Sequence, residues 1–228
     1  MENVLAFLRE LSRHNDRKWF EEHRARYREV QETFNRFTER LIDGIVSFDP
    51  SVRGLTVGEC IYRIYRDTRF SPDKRPYKTH MSTYICPHGK KSGFGGYYFH
   101  VEPEGIGGLI GGSMLSVGLY RPETNAARSI REEILDHGEE FSAAIKKARG
   151  FRLNRENMLK RVPAGFPTDS PQADLFRLKD FYLDKPLRES DMGRERLLAE
   201  TLREFRSARD FLERVNRAVA YAHEEMQP

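Results

Sequence analysis

A long run of apolar and aromatic residues near the N-terminus recurs at steps of three and four positions. Its members are Trp19, His23, Tyr27, Val30, Phe34, Phe37, Leu41 and Ile45. Because an α-helix has about 3.6 residues per turn, this spacing places them all on one helix face. The pattern predicts one long amphipathic helix from Asp16 to just before Asp49-Pro50. Such stripes are typical of a packed core, so we assign Trp19, Phe34 and Phe37 to packing.

The periodicity then changes from helical to alternating. Residues 58–67 alternate between two faces, which predicts a first strand. Three further segments are short, aromatic or β-branched, and bounded by glycine or proline, as strands are; they cover residues 81–86, 96–102 and 109–119. The connections between them are too short for the crossover that parallel neighbours need. The sheet is therefore predicted to be antiparallel.

Helical patterns flank these strands. They cover the opening residues up to His14-Asn15, two segments after Pro122, and a C-terminal segment of one or two helices between Ser190 and Ala222. Residues 150–172 are rich in proline and glycine and predict an irregular connection. Residues 175–187 fit helix or strand, and we favour a short strand around residues 181–183. The predicted class is α+β, an antiparallel sheet covered by helices in a single domain of residues 1–228.

Composition narrows the class of protein. The chain has 228 residues, of which 32% are charged, and no apolar run approaches the ~18 to 20 residues that cross a bilayer. The N-terminus lacks the basic segment that opens a targeting peptide, so we expect a cytoplasmic protein without a membrane partner. Cys60 and Cys86 have no CxxC spacing, and we expect both to be reduced and buried. Oligomeric state is left open.

Positive charge is concentrated in one segment. Residues 62–91 carry eight basic and two acidic residues, a local charge of +6, whereas the whole chain carries +4 and the remainder therefore −2. Tyrosines and a phenylalanine are interleaved with these cations. A focused basic patch attracts phosphates, carboxylates or a nucleic-acid backbone, although a solvated basic face is the commoner origin of such a run.

The densest cluster of candidate site residues lies in the loop that follows the predicted first strand. The candidate ligand-binding residues are Arg66, Asp67, Arg69, Lys74, Tyr77, Lys78 and His100. The arginines and lysines would bind the anion, because a guanidinium holds a carboxylate or phosphate through two parallel hydrogen bonds. Asp67 would orient an arginine, and His100, which shares a strand face with Tyr98 and Glu102, would be an acid or base. The alternative is an arginine–aspartate network that only pins the loop.

The sequence predicts neither a metal site nor a cofactor. His80, Cys86, His88 and His100 could supply zinc ligands, but their spacing is irregular. The glycines from Gly105 to Gly118 fit no phosphate-binding fingerprint and are better explained by a hairpin turn and close backbone packing. The motifs GxSxG and HExxH are absent as well.

Several segments resemble one family of proteins. The segments are YRIYRDTRFSPDKRPYKTH, GYYFHVEPEG, LKRVPAGF, LFRLKDFYLDKPL and the glycines before LYRP. Together they resemble the bacterial and fungal family known as domain of unknown function 2461, over nearly the whole chain. The resemblance implies a single domain and no activity that could be transferred. The positions that match the signature are Arg66, Asp67, Arg69, Phe70, Asp73, Lys74, Pro76, Tyr77, Lys78 and Lys179.

These observations predict a protein that recognises a phosphorylated or otherwise anionic small molecule at its basic loop. Whether it also turns that ligand over, and so is an enzyme, is left open. Nucleic-acid binding through the basic and aromatic residues is one alternative. A non-catalytic protein interaction module, in which the loop docks an acidic partner or seals the fold, is the other.

Overall fold

The computed structural model describes residues 1–225. Within them, nine α-helices are formed: α1 (Glu2–Arg13), α2 (Arg17–Glu22), α3 (Arg24–Val46), α4 (Val57–Cys60), α5 (Thr124–Asp136), α6 (Gly138–Lys147), α7 (Ala173–Phe176), α8 (Leu197–Ser207) and α9 (Arg209–Glu225). Short 3-10 helices cover Pro50–Val52 and Glu189–Asp191. The strands are β1 (Met81–Ile85), β2 (Gly96–Val101), β3 (Ser113–Leu119), β4 (Arg152–Leu153) and β5 (Phe181–Leu187).

The five strands form one antiparallel sheet in the order β1-β2-β3-β5-β4. This confirms the predicted α+β class, the strand around residues 181–183 and the C-terminal helical segment, which is split into α8 and α9. The connection predicted as irregular contains the two residues of β4, whose Arg152 pairs with Asp184 and Leu153 with Leu183.

The predicted long helix is present but interrupted. The Asp16 carboxylate accepts a hydrogen bond from the Trp19 backbone N–H and so caps α2. At His23 the backbone leaves helical geometry, with φ −107° and ψ 14°, and α3 then continues for 23 residues. The assignment of the aromatic stripe to packing is confirmed, because Phe34 and Phe37 both contact Phe99, with the Phe37 and Phe99 ring centroids 4.8 Å apart.

The predicted first strand over residues 58–67 is wrong. Thr56 and Glu59 form a capping box in which each side chain bonds the other residue's backbone N–H, so residues 57–60 fold as α4 instead. Residues 61–67 form only isolated bridges, Ile61 to Thr83 and Tyr65 to Tyr77. All the candidate residues except His100, which lies on β2, therefore fall within residues 61–80, which we call the basic arm, ahead of β1. The strand predicted over residues 109–119 begins at Ser113, and the preceding residues 103–112 form a turn-rich segment that we call the glycine loop.

Contacts within the chain define two compact units. The first unit comprises Met1–Ile85, Tyr98–Leu115 and Pro186–Leu202, and the second comprises Cys86–Tyr97, Ser116–Lys185 and the chain from Arg203 on. The predicted single domain remains a prediction. Both cysteines are buried, as expected. Across residues 1–225, no helix combines the length and the apolar character that crossing a membrane requires.

Candidate functional site

A cavity of about 180 Å³ lies in the first unit, between the basic arm and the glycine loop. Residues of both segments form its walls: Arg66, Asp73, Arg75, Tyr77, Lys78, Thr79, His80, Gly108 and Leu109. Three of the predicted ligand-binding residues, Arg66, Tyr77 and Lys78, are therefore brought together here.

Backbone hydrogen bonds fold the basic arm back on itself. The Arg66 N–H donates to the Pro76 carbonyl at 2.9 Å, and the Lys78 N–H donates to the Ile64 carbonyl at 2.8 Å. Tyr77 anchors the arm, because its ring stacks on Phe20 with a centroid distance of 3.9 Å and is almost fully buried. These contacts fix the backbone from which the Arg66 and Lys78 side chains project.

Asp73 organises two of the cavity's cations. Its carboxylate accepts hydrogen bonds from the Arg66 guanidinium at 2.5 Å and from the Arg75 guanidinium at 2.8 Å. These two arginines hold the pKa of Asp73 well below its ordinary value. One carboxylate cannot neutralise two guanidinium groups and the Lys78 ammonium, so the walls carry an excess of two positive charges.

Lys78 is the cation without a carboxylate partner. Among residues 1–225 no acidic group lies within ion-pair distance of its ammonium, which instead sits 5.5 Å from the centroid of the Tyr62 ring. The side chain is half-buried, and desolvation together with the nearby Arg63 lowers the pKa of Lys78. A desolvated cation next to another cation is stabilised by an incoming anion.

The other predicted residues of the arm lie outside the cavity walls. The Arg69 guanidinium pairs with the Asp67 carboxylate at 2.7 Å, and the Arg69 side chain is 77% exposed. The Lys74 ammonium donates to the Thr68 carbonyl at 3.0 Å. These contacts pin Asp67, Arg69 and Lys74 within the arm, whereas Arg66 and Lys78 line the cavity.

A hydrogen-bonded chain of polar side chains runs along β2 and the residue that follows it. Tyr98, His100 and Glu102 lie on one face, as their alternation predicted. The Tyr98 hydroxyl bonds His100 Nδ1 at 2.9 Å, and His100 Nε2 bonds a carboxylate oxygen of Glu102 at 2.8 Å. Both His100 and Glu102 are 0% exposed. The Glu102 carboxylate also accepts the backbone N–H groups of Ile110, at 3.0 Å, and Gly111, at 3.4 Å.

These contacts set the charge of the buried groups. Desolvation alone would raise the pKa of Glu102, but the hydrogen bonds from His100 and the glycine loop outweigh it and hold the pKa below its ordinary value. Desolvation, aided by His100 and Lys78, lowers the pKa of His80 to about 3, so its imidazole is neutral at pH 7.

His80, His100 and Glu102 bring together two imidazoles and one carboxylate, which are donor groups that metal ions accept. The ring of His80 lies 4.7 Å from that of His100, and one donor atom from each of the three residues lies within 4.8 Å of the others. Sequence reasoning missed this set because it weighed only histidines and cysteines. The signal was available, since His100 and Glu102 are two positions apart on one strand face. The other ligands then considered, Cys86 and His88, belong to the second unit.

The fold and the site together define an α+β protein with a basic cavity next to a buried histidine–glutamate pair. The chain belongs to the family described as "Conserved hypothetical protein (DUF2461)", whose model matches residues 3–213. This confirms the resemblance that the sequence motifs indicated. Comparisons with curated proteins and with solved structures found no match.

Proposed function

We propose that this protein binds a small anionic ligand of the cytoplasm, carrying a phosphate or carboxylate group, in the cavity of the basic arm. The excess of two positive charges on the cavity walls carries the proposal. Arg66 and Arg75 are already oriented by Asp73 and offer their remaining N–H groups, and Lys78 supplies a desolvated ammonium. Binding a ligand would supply the negative charge that the walls lack.

The size of the cavity limits the ligand. Its volume of about 180 Å³ is roughly six times the ~30 Å³ that a water molecule occupies in the liquid. It falls below the ~300 to 1,000 Å³ of pockets that enclose drug-sized molecules. The cavity therefore fits one phosphate, sulfate or small carboxylate group, while the rest of a larger ligand would lie outside.

Isothermal titration calorimetry with inorganic phosphate and sulfate tests the proposal on the full chain in chelator-treated buffer. We expect the wild type to bind phosphate or sulfate saturably. The dissociation constant of Lys78→Gln should be at least tenfold larger. That loss corresponds to ~1.4 kcal/mol, the range expected for one hydrogen bond to a charged group.

Lys74→Gln is the matched control. Lys74 lies on the same arm, and its ammonium bonds the Thr68 carbonyl rather than facing the cavity. We expect its affinity for phosphate to equal that of the wild type. Absence of binding by the wild type, or an equal loss in both variants, would contradict the proposal.

One observation favours nucleic acid as a second candidate ligand. Phe70 is 93% exposed, and the Arg69 guanidinium lies 5.8 Å from the centroid of its ring. Exposed aromatic rings next to cations stack on unpaired bases. Affinity for single-stranded oligonucleotides that falls steeply with salt, and that Phe70→Ala weakens, would favour this candidate.

A further inference from the structure

We propose that His80, His100 and Glu102 bind a divalent transition-metal ion next to the cavity of the basic arm. The proposal goes beyond anion recognition, because it concerns different donor groups and needs no anion. His80 links the two sites, since it is the one member of the set that lines the cavity.

The donor set favours a transition metal. Two imidazoles and one carboxylate are the ligands of several three-residue zinc and iron sites, whereas magnesium and calcium prefer oxygen donors alone. The donor atoms already lie within 4.8 Å of one another. In a tetrahedral site, ligands at about 2.0 to 2.2 Å from the ion lie roughly 3.4 Å apart. A shift of roughly 1.4 Å by His80, which directly precedes β1, would therefore close the site.

Surrounding hydrogen bonds orient two of the ligands. Tyr98 engages Nδ1 of His100 and so leaves Nε2 directed at Glu102. Two backbone N–H groups of the glycine loop hold the Glu102 carboxylate. Metal-binding histidines and carboxylates in proteins are commonly fixed by such outer partners.

His80 distinguishes a metal site from a purely structural ion pair. His100 and Glu102 already hydrogen-bond each other. A purely structural role for this pair would need no second imidazole nearby. Yet the His80 ring lies against His100, and the part of the chain that the structure describes offers its nitrogens no hydrogen-bond partner. Coordination to a metal would satisfy one of these nitrogens. Three protein ligands would leave coordination positions open toward the cavity.

The test uses Co²⁺ and the chelator-stripped full-length protein, without any anionic ligand. We expect calorimetry to show one bound equivalent, accompanied by visible absorption bands of protein-coordinated Co²⁺. His80→Ala and Glu102→Gln should each weaken binding at least tenfold. His137→Ala, which removes a half-exposed imidazole of the second unit, is the control and should bind as the wild type does.

Each outcome decides the proposal. Failure of the wild type to bind Co²⁺, or equal binding by folded His80→Ala, would overturn it. X-ray absorption of the Co²⁺-loaded wild type needs no variant, so the test does not depend on whether the variants fold. Two imidazole ligands in the first coordination shell of Co²⁺ would support the site, and a shell of oxygen ligands alone would overturn it. The Co²⁺ titration contains no anionic ligand, and the phosphate titration contains no metal. Failure of the metal proposal can therefore be distinguished from failure of the proposed anion binding.

Discussion

At the scale of single residues, Gly108 sets how closely the glycine loop approaches the buried carboxylate of Glu102. A Cβ atom at position 108 would overlap the Glu102 side chain. The absence of a side chain therefore permits the backbone N–H groups of Ile110 and Gly111 to reach that carboxylate. This glycine is required for close approach, as the sequence suggested for the glycine-rich segment in general.

We expect Gly108→Ala to destabilise the fold by about 1 to 3 kcal/mol, because displacing Glu102 strips hydrogen bonds from a buried charged group. Urea unfolding measures the change. Gly112→Ala is the control, since a Cβ there would meet Glu104 only at an ordinary contact distance of 3.5 Å. Equal stability of the two variants would show that the loop yields without disturbing Glu102.

The sequence predicts the residues of this site better than it predicts their partners. Alternation alone places Tyr98, His100 and Glu102 on one face of β2. It cannot show that two backbone amides of a loop converge on Glu102, or that His80 lies over His100. Those contacts depend on how the basic arm and the glycine loop fold over β2. Local sequence patterns do not predict such contacts between distant segments.

At the scale of elements, the predicted first strand shows how local chemistry overrides alternation. Residues 58–67 alternate as a strand would, but the capping box of Thr56 and Glu59 stabilises a helical turn at their start. The rest makes only isolated bridges, and Pro72 and Pro76 lack the N–H groups that a continuing ladder would need. Alternation over five to ten residues does not reveal whether a neighbouring strand is available.

The basic arm is therefore held by ion pairs as well as by its backbone, which makes its stability depend on pH. The pKa of Asp73 in the folded protein lies below the ordinary 3.8, because Arg75 and Arg66 bond its carboxylate. A lowered pKa contributes stability above the ordinary value, and the contribution is lost as pH falls toward the folded value.

We expect Asp73→Asn to be less stable than the wild type at pH 6, with the difference in unfolding free energy shrinking as pH falls below 4. Urea unfolding between pH 6 and pH 3 measures it. Asp169→Asn is the control, because Asp169 is exposed and forms no ion pair within residues 1–225. A difference that stays constant or widens in acid would show that the Asp73 carboxylate does not hold the arm.

At the scale of the whole molecule, the positive charge comes from one segment of the chain, and the fold decides where each cation of that segment lies. The excess of +6 is confined to residues 62–91, as the sequence alone establishes. The structure divides these cations, because Arg69 and Lys74 lie outside the cavity while Arg66 and Lys78 line it. Charge counting finds the segment, but only the folded arm determines which cations remain available to a ligand.

The two proposed sites meet at His80, so their occupancy should be coupled. A divalent ion held by His80 would add positive charge next to the cavity and leave coordination positions open toward it, so an anion should bind more tightly to the metal-loaded protein. By linkage, the anion must raise the affinity for metal by the same factor, typically about 5- to 150-fold. Calorimetry with sulfate, on protein with and without one equivalent of Co²⁺, measures this factor.

We expect sulfate to bind at least about fivefold more tightly to the Co²⁺-loaded wild type, a factor at the lower end of coupling between sites. His80→Ala should lose this gain, because the metal would no longer be held at the wall of the cavity. His137→Ala should keep it, since His137 belongs to the second unit. Identical sulfate affinities with and without metal would show that the two sites are not coupled, because a divalent charge held at the wall of the cavity would change the affinity for an anion bound inside it.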